Sequence, residues 1–540
     1  MKLTNVKIIN DNTPTAIHAA EELSAYLQKK GITVSENGFP ISVAVDASMD
    51  QDGYKIEAAD NGMTVTGDNT GVLYGVYGFL EKYAGVRFFT PTLELCPAGE
   101  ITVPQGLIME YSPAMKARRL TWFGVRDADW CVKNGINNCD AALTEELGGQ
   151  RLNYGKLFVH TINILAETKY PYPAYGTNPC LTDPEIYATV LKNVRKELET
   201  HPETTIMSVS QSDYEQSCYC PNCAKIAEEN GGNYSGVWIT FVNKIAEDIA
   251  EDYPHVMIDT LAYKNTQTPP TKVKPHKNVC VRLCSINCCF THAINASYCL
   301  QNRQFCKDLR GWGKICENVH IWDYNTNFHY FISTFANFGV LRANMQFFAE
   351  NNVTSIFPHG NDHGVSGEFG ELRAYLIAQL MWNPYMTEEE YYTHMDEFLA
   401  AYYGEGWIFI REFIDLTTRL ALNGGYSLDG DERPNVFVCG QGIYAHPLTA
   451  ITRKEYLGYE YRFDDCWAMA EALAGDRVEY VRRSAMQWRL TKLYLHPNAE
   501  EAQKLIDDAK AAGVVWKEGQ YNVLASSDLS LSPYYWKYGN

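Results

Sequence analysis

The chain of 540 residues lacks any apolar run near the roughly 18 residues of a membrane-spanning helix, so no membrane partner is expected. It lacks a positive surplus. Its 46 Lys and Arg stand against 65 Asp and Glu, and a formal charge of −19 repels polyanions, which removes nucleic acid as a partner. Internal repeats and low-complexity tracts are absent, which excludes solenoids and arrays. No apolar signal-peptide core separates Met1-Lys2-Leu3-Thr4-Asn5 from the alternating Val6, Ile8 and Ile9, so the expected location is the cytoplasm. Apolar residues at 46% and charged residues at 21% exclude intrinsic disorder and fibrous architectures.

Sixteen cysteines in so long a chain without an export signal read mostly as reduced thiols. Aromatic residues are abundant, with 36 Tyr, 22 Phe and 11 Trp, a surplus of the kind that lines sugar-binding clefts.

The pattern divides the chain into a small α/β domain over residues 1–112, a (β/α)8 barrel over 113–384 and a mostly helical region over 385–540. In the first, strands at 5–9, 41–45, 54–57 and 62–67 surround a helix at 15–29 and precede another at 70–83. The Gly71, Gly75 and Gly78 of that second helix permit close packing on a sheet, and a linker follows Pro91 and ends near Pro113. Barrel strands are predicted at 119–125, 136–140, 157–162, 206–213, 257–263, 279–286, 319–326 and 355–360. Helices are predicted between them at 128–133, 183–199, 236–252, 302–315 and 339–351, and beyond the barrel at 387–403, 407–421, 453–474 and 477–494. Barrel active sites lie at strand C-termini.

Polar residues gather at those ends. Asp213 closes the fourth strand and Asp323 the seventh, so the two aspartates are expected to face each other across the barrel mouth. Paired carboxylates in that arrangement hydrolyse glycosidic bonds, one protonating the leaving oxygen while the other activates water or attacks carbon. Glu368 precedes an apolar helix whose N-terminal field suits a base. Tyr263, Trp322 and Tyr324 would wall a sugar site, with Arg126, His160, Arg282, His359, Asp362 and His363 as further binding groups. Cys218, Cys220 and Cys223 place three thiols within six residues, and with Cys180 as fourth ligand they would hold a structural zinc that catalysis does not use. The run Cys280, Cys284, Cys288 and Cys289 starts inside a strand, so its first members alternate with core positions and read as buried thiols.

Two stretches carry a family resemblance. Val72-Leu73-Tyr74-Gly75-Val76-Tyr77-Gly78-Phe79-Leu80, followed by Gly85-Val86-Arg87-Phe88-Phe89-Thr90-Pro91, resembles the end of the domain that precedes the barrel in α-glucuronidases and β-N-acetylhexosaminidases. The segments 208–213, 259–263, 321–324 and 367–369, with the cysteine cluster, look like a bacterial family of unassigned function grouped with those glycosidases. The resemblance covers roughly residues 15 to 405. It implies an accessory α/β domain, a catalytic barrel and a helical C-terminal region. Hexosaminidases of this type carry an adjacent Asp-Glu pair after the fourth strand, whereas this chain reads Ser212-Asp213-Tyr214-Glu215, which favours the direct acid/base arrangement of the α-glucuronidases.

The leading expectation is therefore a glycoside hydrolase acting on an oligosaccharide end, including a uronic-acid-bearing one, as a monomer or a homo-oligomer. Asp213 would be its acid, and Asp323 or Glu368 its base or nucleophile. The rivals are a noncatalytic carbohydrate-binding protein on the same scaffold and a polysaccharide lyase with Tyr263 or His359 as proton abstractor.

Overall fold

The computed structural model describes residues 1–168, 177–214, 216–423 and 442–518. Strands β1 (Asn5–Asn10), β2 (Thr33–Val34), β3 (Phe39–Val45), β4 (Tyr54–Ala59) and β5 (Gly62–Gly67) belong to one sheet, a hairpin of β6 (Arg87–Thr90) and β7 (Leu93–Leu95) follows, and β8 (Ile108–Tyr111) returns to the sheet. The sheet runs β2-β1-β3-β5-β4-β8, parallel except where β4 pairs antiparallel with β5 and β8. The expected linker after Pro91 is thus largely structure, because β8 completes the sheet edge. The helix Gly71–Ala84 packs closely on this sheet: a Cβ on Gly75 would lie 2.8 Å from Val65, and one on Gly78 2.6 Å from the Tyr54 hydroxyl.

The second sheet is a curled, all-parallel array of seven strands. They are β9 (Ala117–Leu120), β10 (Asn138–Cys139), β11 (Ile206–Ser208), β12 (Met257–Ala262), β13 (Val279–Cys284), β14 (Asn318–Tyr324) and β15 (Val353–His359), in the order β10-β9-β15-β14-β13-β12-β11. This is the expected α/β barrel with one strand replaced. The predicted strand at 157–162 is coil, since Gly155 and His160 take left-handed φ values of 57° and 56° that break an extended run. The coil nevertheless fills the eighth place. Arg151 donates its amide to Asn137 beside β10, the Asn153 carbonyl accepts from Thr205 and Ile206, and the Ile162 amide reaches Ser210 past β11. Beyond the barrel the described chain is helical, from Gly370–Trp382 through Glu388–Tyr403, Trp407–Asn423 and Arg453–Leu473 to Ala499–Ala511. No helix among the described residues is long and apolar enough to cross a membrane.

The α/β unit is joined to the barrel by charge. Arg118, on the outer face of β9, is fully buried and pairs with the equally buried Asp52 at 3.0 Å. Asn137 and Arg151 donate to the same carboxylate at 2.7 and 3.1 Å, while the guanidinium stacks 5.2 Å from the Trp382 ring. Burial alone would raise the Asp52 carboxyl, but Arg118 and Arg151 override it and hold it below the usual carboxylate range. Removing one partner of such a pair strands the other charge, so Asp52→Asn should cost about 3–5 kcal/mol in urea unfolding. A loss below about 1 kcal/mol, the scale of an exposed pair, would remove the joint from the account.

Candidate active site

Strand alternation sorts the expected residues into those that face the barrel interior and those that do not. Inward positions stack in layers. The lowest holds Arg282, His320 and Ser355 in register, the next Cys284, Trp322 and Phe357, and the uppermost Tyr324 and His359, with Thr121 bridged to His359. Phe158, from the coil that replaces a strand, packs on Trp322 at 5.6 Å and on Phe357 at 5.5 Å, which plugs the interior. Tyr324 stacks on Trp322 at 6.0 Å and approaches His359 at 6.2 Å, forming an aromatic floor at the strand C-termini.

Asp213 stands at this floor. It lies five residues beyond β11, in a loop clamped by Asn178, whose side chain accepts the Ser212 amide and donates to the Tyr214 carbonyl. The Tyr263 hydroxyl donates to Asp213 Oδ1 at 3.0 Å, and Lys264 reaches the same oxygen at 3.2 Å. His160 donates through Nδ1 to the Gln211 carbonyl at 2.8 Å; burial lowers its pKa, against the attraction of Asp213. Burial and then Asp213 push the Tyr263 hydroxyl far above its ordinary value, so it is a poor proton abstractor.

On the other side, Gly360 follows β15 because a Cβ there would lie 1.9 Å from the Trp122 ring. The chain then presents Asp362, bonded to His363 Nδ1 at 2.5 Å, while Arg126 donates to the Asp362 carbonyl at 2.9 Å and lies 3.6 Å from Asp140. The C-terminal region completes the rim. Ile443 and Glu518 hydrogen-bond the two sides of Phe328, which brings Tyr444 to 6.3 Å from that ring. Glu518 is exposed, yet crowding by the surrounding chain and the charges of Asp362 and Asp213 raise its carboxyl above the ordinary range. Between the two sides, Thr121 Oγ1, Trp322 Nε1, His359 Nδ1 and Asn361 Nδ2 are buried without a hydrogen-bond partner among the described residues.

Three expectations are corrected. Asp323 is an outward position of β14, so it does not face Asp213; Ser285 and Asn325 donate to its two oxygens at 2.7 and 3.0 Å behind the barrel wall, and burial raises its carboxyl. Glu368 is equally remote from the mouth. It pairs with buried Arg373 at 3.0 Å, and burial pushes its carboxyl up to about 7. Arg282 lies beneath the aromatic plug, ion-paired with Asp259 and stacked on Phe158 at 4.4 Å, and is sealed from the mouth. Arg126, His160, Tyr263, Trp322, Tyr324, His359, Asp362 and His363 do gather with Asp213. Lys264, Asp140, Tyr444 and Glu518 were not foreseen. Asp140 and Lys264 carry the same strand-end signal as the others, whereas nothing in the sequence points from Tyr444 or Glu518 to the barrel.

The cysteines behave as their spacing suggests. The Sγ atoms of Cys180, Cys218, Cys220 and Cys223 lie within 4.8 Å of one another, with Cys180 3.7 Å from Cys220 and 3.8 Å from Cys223. Four thiolates about 2.3 Å from a tetrahedral zinc stand about 3.8 Å apart, so the residues fit that ion. The Cys223 amide and the Thr182 hydroxyl hold the Cys220 thiol down to about 6. Cys280, Cys284 and Cys288 are buried, as expected. A broad cleft outside the barrel, lined by Thr268, Ile294, Arg303, Lys307 and Arg310, has as its one carboxylate among the described residues Asp308, whose oxygens are engaged by Gln267 and Gln304.

The fold is similar to that of solved glycoside hydrolases. A family GH115 4-O-methyl-alpha-glucuronidase with specificity for decorated arabinogalactans superposes with a TM-score of 0.56 at 11% identity, over 99% of this chain and 78% of that one. A GH138 enzyme targeting pectin rhamnogalacturonan II gives 0.45 at 12% identity, over 94% and 91%. A GH20 exo beta-N-acetylglucosaminidase from Vibrio harveyi gives 0.39 at 12%, over 74% of each chain. By sequence the chain belongs to the domain family of unknown function DUF4838, whose model matches residues 88–415. No curated protein matches it.

Burial holds the His359 imidazole down to about 4, reinforced by His363 and opposed by Asp362. An unfolded imidazole binds its proton near 6.5, while the folded one stays neutral to about 4. Stability from this group is therefore present above pH 6.5 and lost as pH falls toward 4, at about 1.4 kcal/mol per pH unit. Urea unfolding of His359→Gln should lose that slope between pH 6.5 and 4.5; a slope equal to the wild type's would show that His359 titrates normally.

Proposed function

We propose that the chain is a glycoside hydrolase acting on the end of an oligosaccharide or polysaccharide, with Asp213 as acid and Asp362 as base or nucleophile. One observation carries the reading: β15 and β11, which lead to these two aspartates, are four places apart in an eight-place ring, hence opposite across the aromatic floor. Asp213 protonates the departing oxygen as the bond to the anomeric carbon breaks, and Asp362 deprotonates the attacking water or attacks that carbon itself. The buried polar atoms of Thr121, Trp322, His359 and Asn361 suit a hydroxylated ring lying between them. Arg126 and Lys264 at the rim suit a carboxylate on that ring, a uronic acid, which agrees with the substrate named for the GH115 neighbour.

The test is turnover on a panel of aryl glycosides and uronic-acid oligosaccharides. Asp213→Asn and Asp362→Asn should each lower kcat about a hundredfold on natural substrates, with Asp213→Asn sparing activated aryl leaving groups. Asp323→Asn should leave kcat within a few-fold while lowering stability. Full activity in Asp362→Asn would sink the pair, and sugar binding without turnover by the wild type would make this a binding protein instead.

The four-cysteine cluster is proposed to hold a structural zinc through Cys180, Cys218, Cys220 and Cys223. Four thiolates leave it no open position, so it supplies stability and no reaction step. Cys220→Ser should lose one zinc per chain and melt earlier, with kcat of the folded fraction unchanged. An unaltered zinc content would remove the site.

A further inference from the structure

A second group of sulfur and imidazole ligands lies in the irregular segment that joins β13 to the helix Arg303–Ile315. Cys289, His292 and Cys299 each offer a ligand atom within 4.8 Å of the other two, and all three residues are at most 2% exposed. Cys289 Sγ stands 3.4 Å from His292 Nδ1. The other ring nitrogen, Nε2, donates to the Leu422 carbonyl at 3.1 Å, which places a proton there and turns Nδ1 toward the sulfurs. A backbone carbonyl on the far nitrogen is the usual support of a metal-bound histidine.

The backbone around these residues is held for the purpose. Buried Asn302 accepts the Cys289 amide at 2.7 Å and donates to the Cys289 and His292 carbonyls at 3.0 Å each, while Asn344 accepts the Ile294 amide at 2.9 Å. Phe290 and Ile294 anchor the same loop in the continuous hydrophobic core. Cys289 and Cys299 form a small buried cluster of their own with Ala296, separate from the continuous hydrophobic core that contains Cys284 and Cys288. The two sulfurs thus occupy a pocket set apart from the core that anchors their loop.

We infer that Cys289, His292 and Cys299 bind a thiophilic cation, Zn2+ or Cu+, at a buried three-ligand site distinct from the four-cysteine cluster. Two thiolates and a neutral imidazole are a donor set for these soft and borderline ions and a poor one for Ca2+ or Mg2+. Binding releases the two thiol protons and involves no redox step. The ion ties the segment after β13 to the end of the helix Trp407–Asn423 through His292 and Leu422, and so fixes the loop that begins at Ser285 behind the mouth.

Metal analysis of the full chain, purified without chelator, tests this, with zinc and copper measured separately so that the two ions are told apart. The wild type should carry one more equivalent than Cys299→Ser or His292→Ala, and Cys220→Ser should keep that equivalent while losing the other. Equal metal in Cys299→Ser and wild type would overturn the inference. Because these variants alter a buried loop, a second measurement uses the wild type alone: X-ray absorption at the bound metal should show imidazole scattering, which four cysteines cannot produce. An all-sulfur spectrum, or a peptide mass showing a Cys289–Cys299 disulfide, would equally overturn it.

Discussion

The buried pair of Asp52 and Arg118 is the constraint on which the arrangement of the two sheets depends. Neither charge reaches water, so each is tolerable only while the other is in place, and Asn137 and Arg151 complete the carboxylate's hydrogen bonds. Arg118 also donates to the Met115 and Gly135 carbonyls, so one guanidinium ties together the entry to the first barrel strand, the turn before the second and the α/β unit. An apolar contact would let the sheets slide over each other. A charge with fixed donors and acceptors admits one position, and through it the small domain sets where β9 and β10 begin.

From those strands upward, alternation decides which polar residues reach the barrel mouth. A shift of one residue along β14 separates Tyr324, on the aromatic floor, from Asp323, which closes a hydrogen-bonded chain through Asn325 and Asn337 behind the wall. The rim is finished by residues far along the chain, from the non-helical stretches around Tyr444 and Glu518. Glu518 shows this most directly, with its amide on Phe328 and its carboxylate within the field of both Asp213 and Asp362.

Much of this was legible in the sequence, and the failures share one cause. Strand identity, the surrounding helices and the mouth aromatics follow from local pattern, and the four-cysteine cluster follows from spacing. Direction within a strand does not, because Trp322-Asp323-Tyr324 reads the same whichever face the aspartate takes. The segment at 157–162 has strand composition, yet the φ values of Gly155 and His160 cannot be seen in it. His292 lies three residues from Cys289 and seven from Cys299, but the carbonyl that orients it belongs to Leu422, well over a hundred residues away. Contacts of that range leave no local trace.

The coil in place of a third strand leaves the barrel's ladder unclosed, with β10 and β11 as its two ends. A ladder loosens from its ends, and β11 is only three residues long. Like Asp140 beyond β10, Asp213 is therefore carried beyond an end strand rather than an interior one. Its position rests on side-chain tethers from Tyr263, Lys264 and Asn178. The two flanks of the mouth are thus built differently: the β15 flank is paired with strands on both sides, whereas β11 is paired as a strand with β12 alone and the loop beyond it owes its placement to side chains.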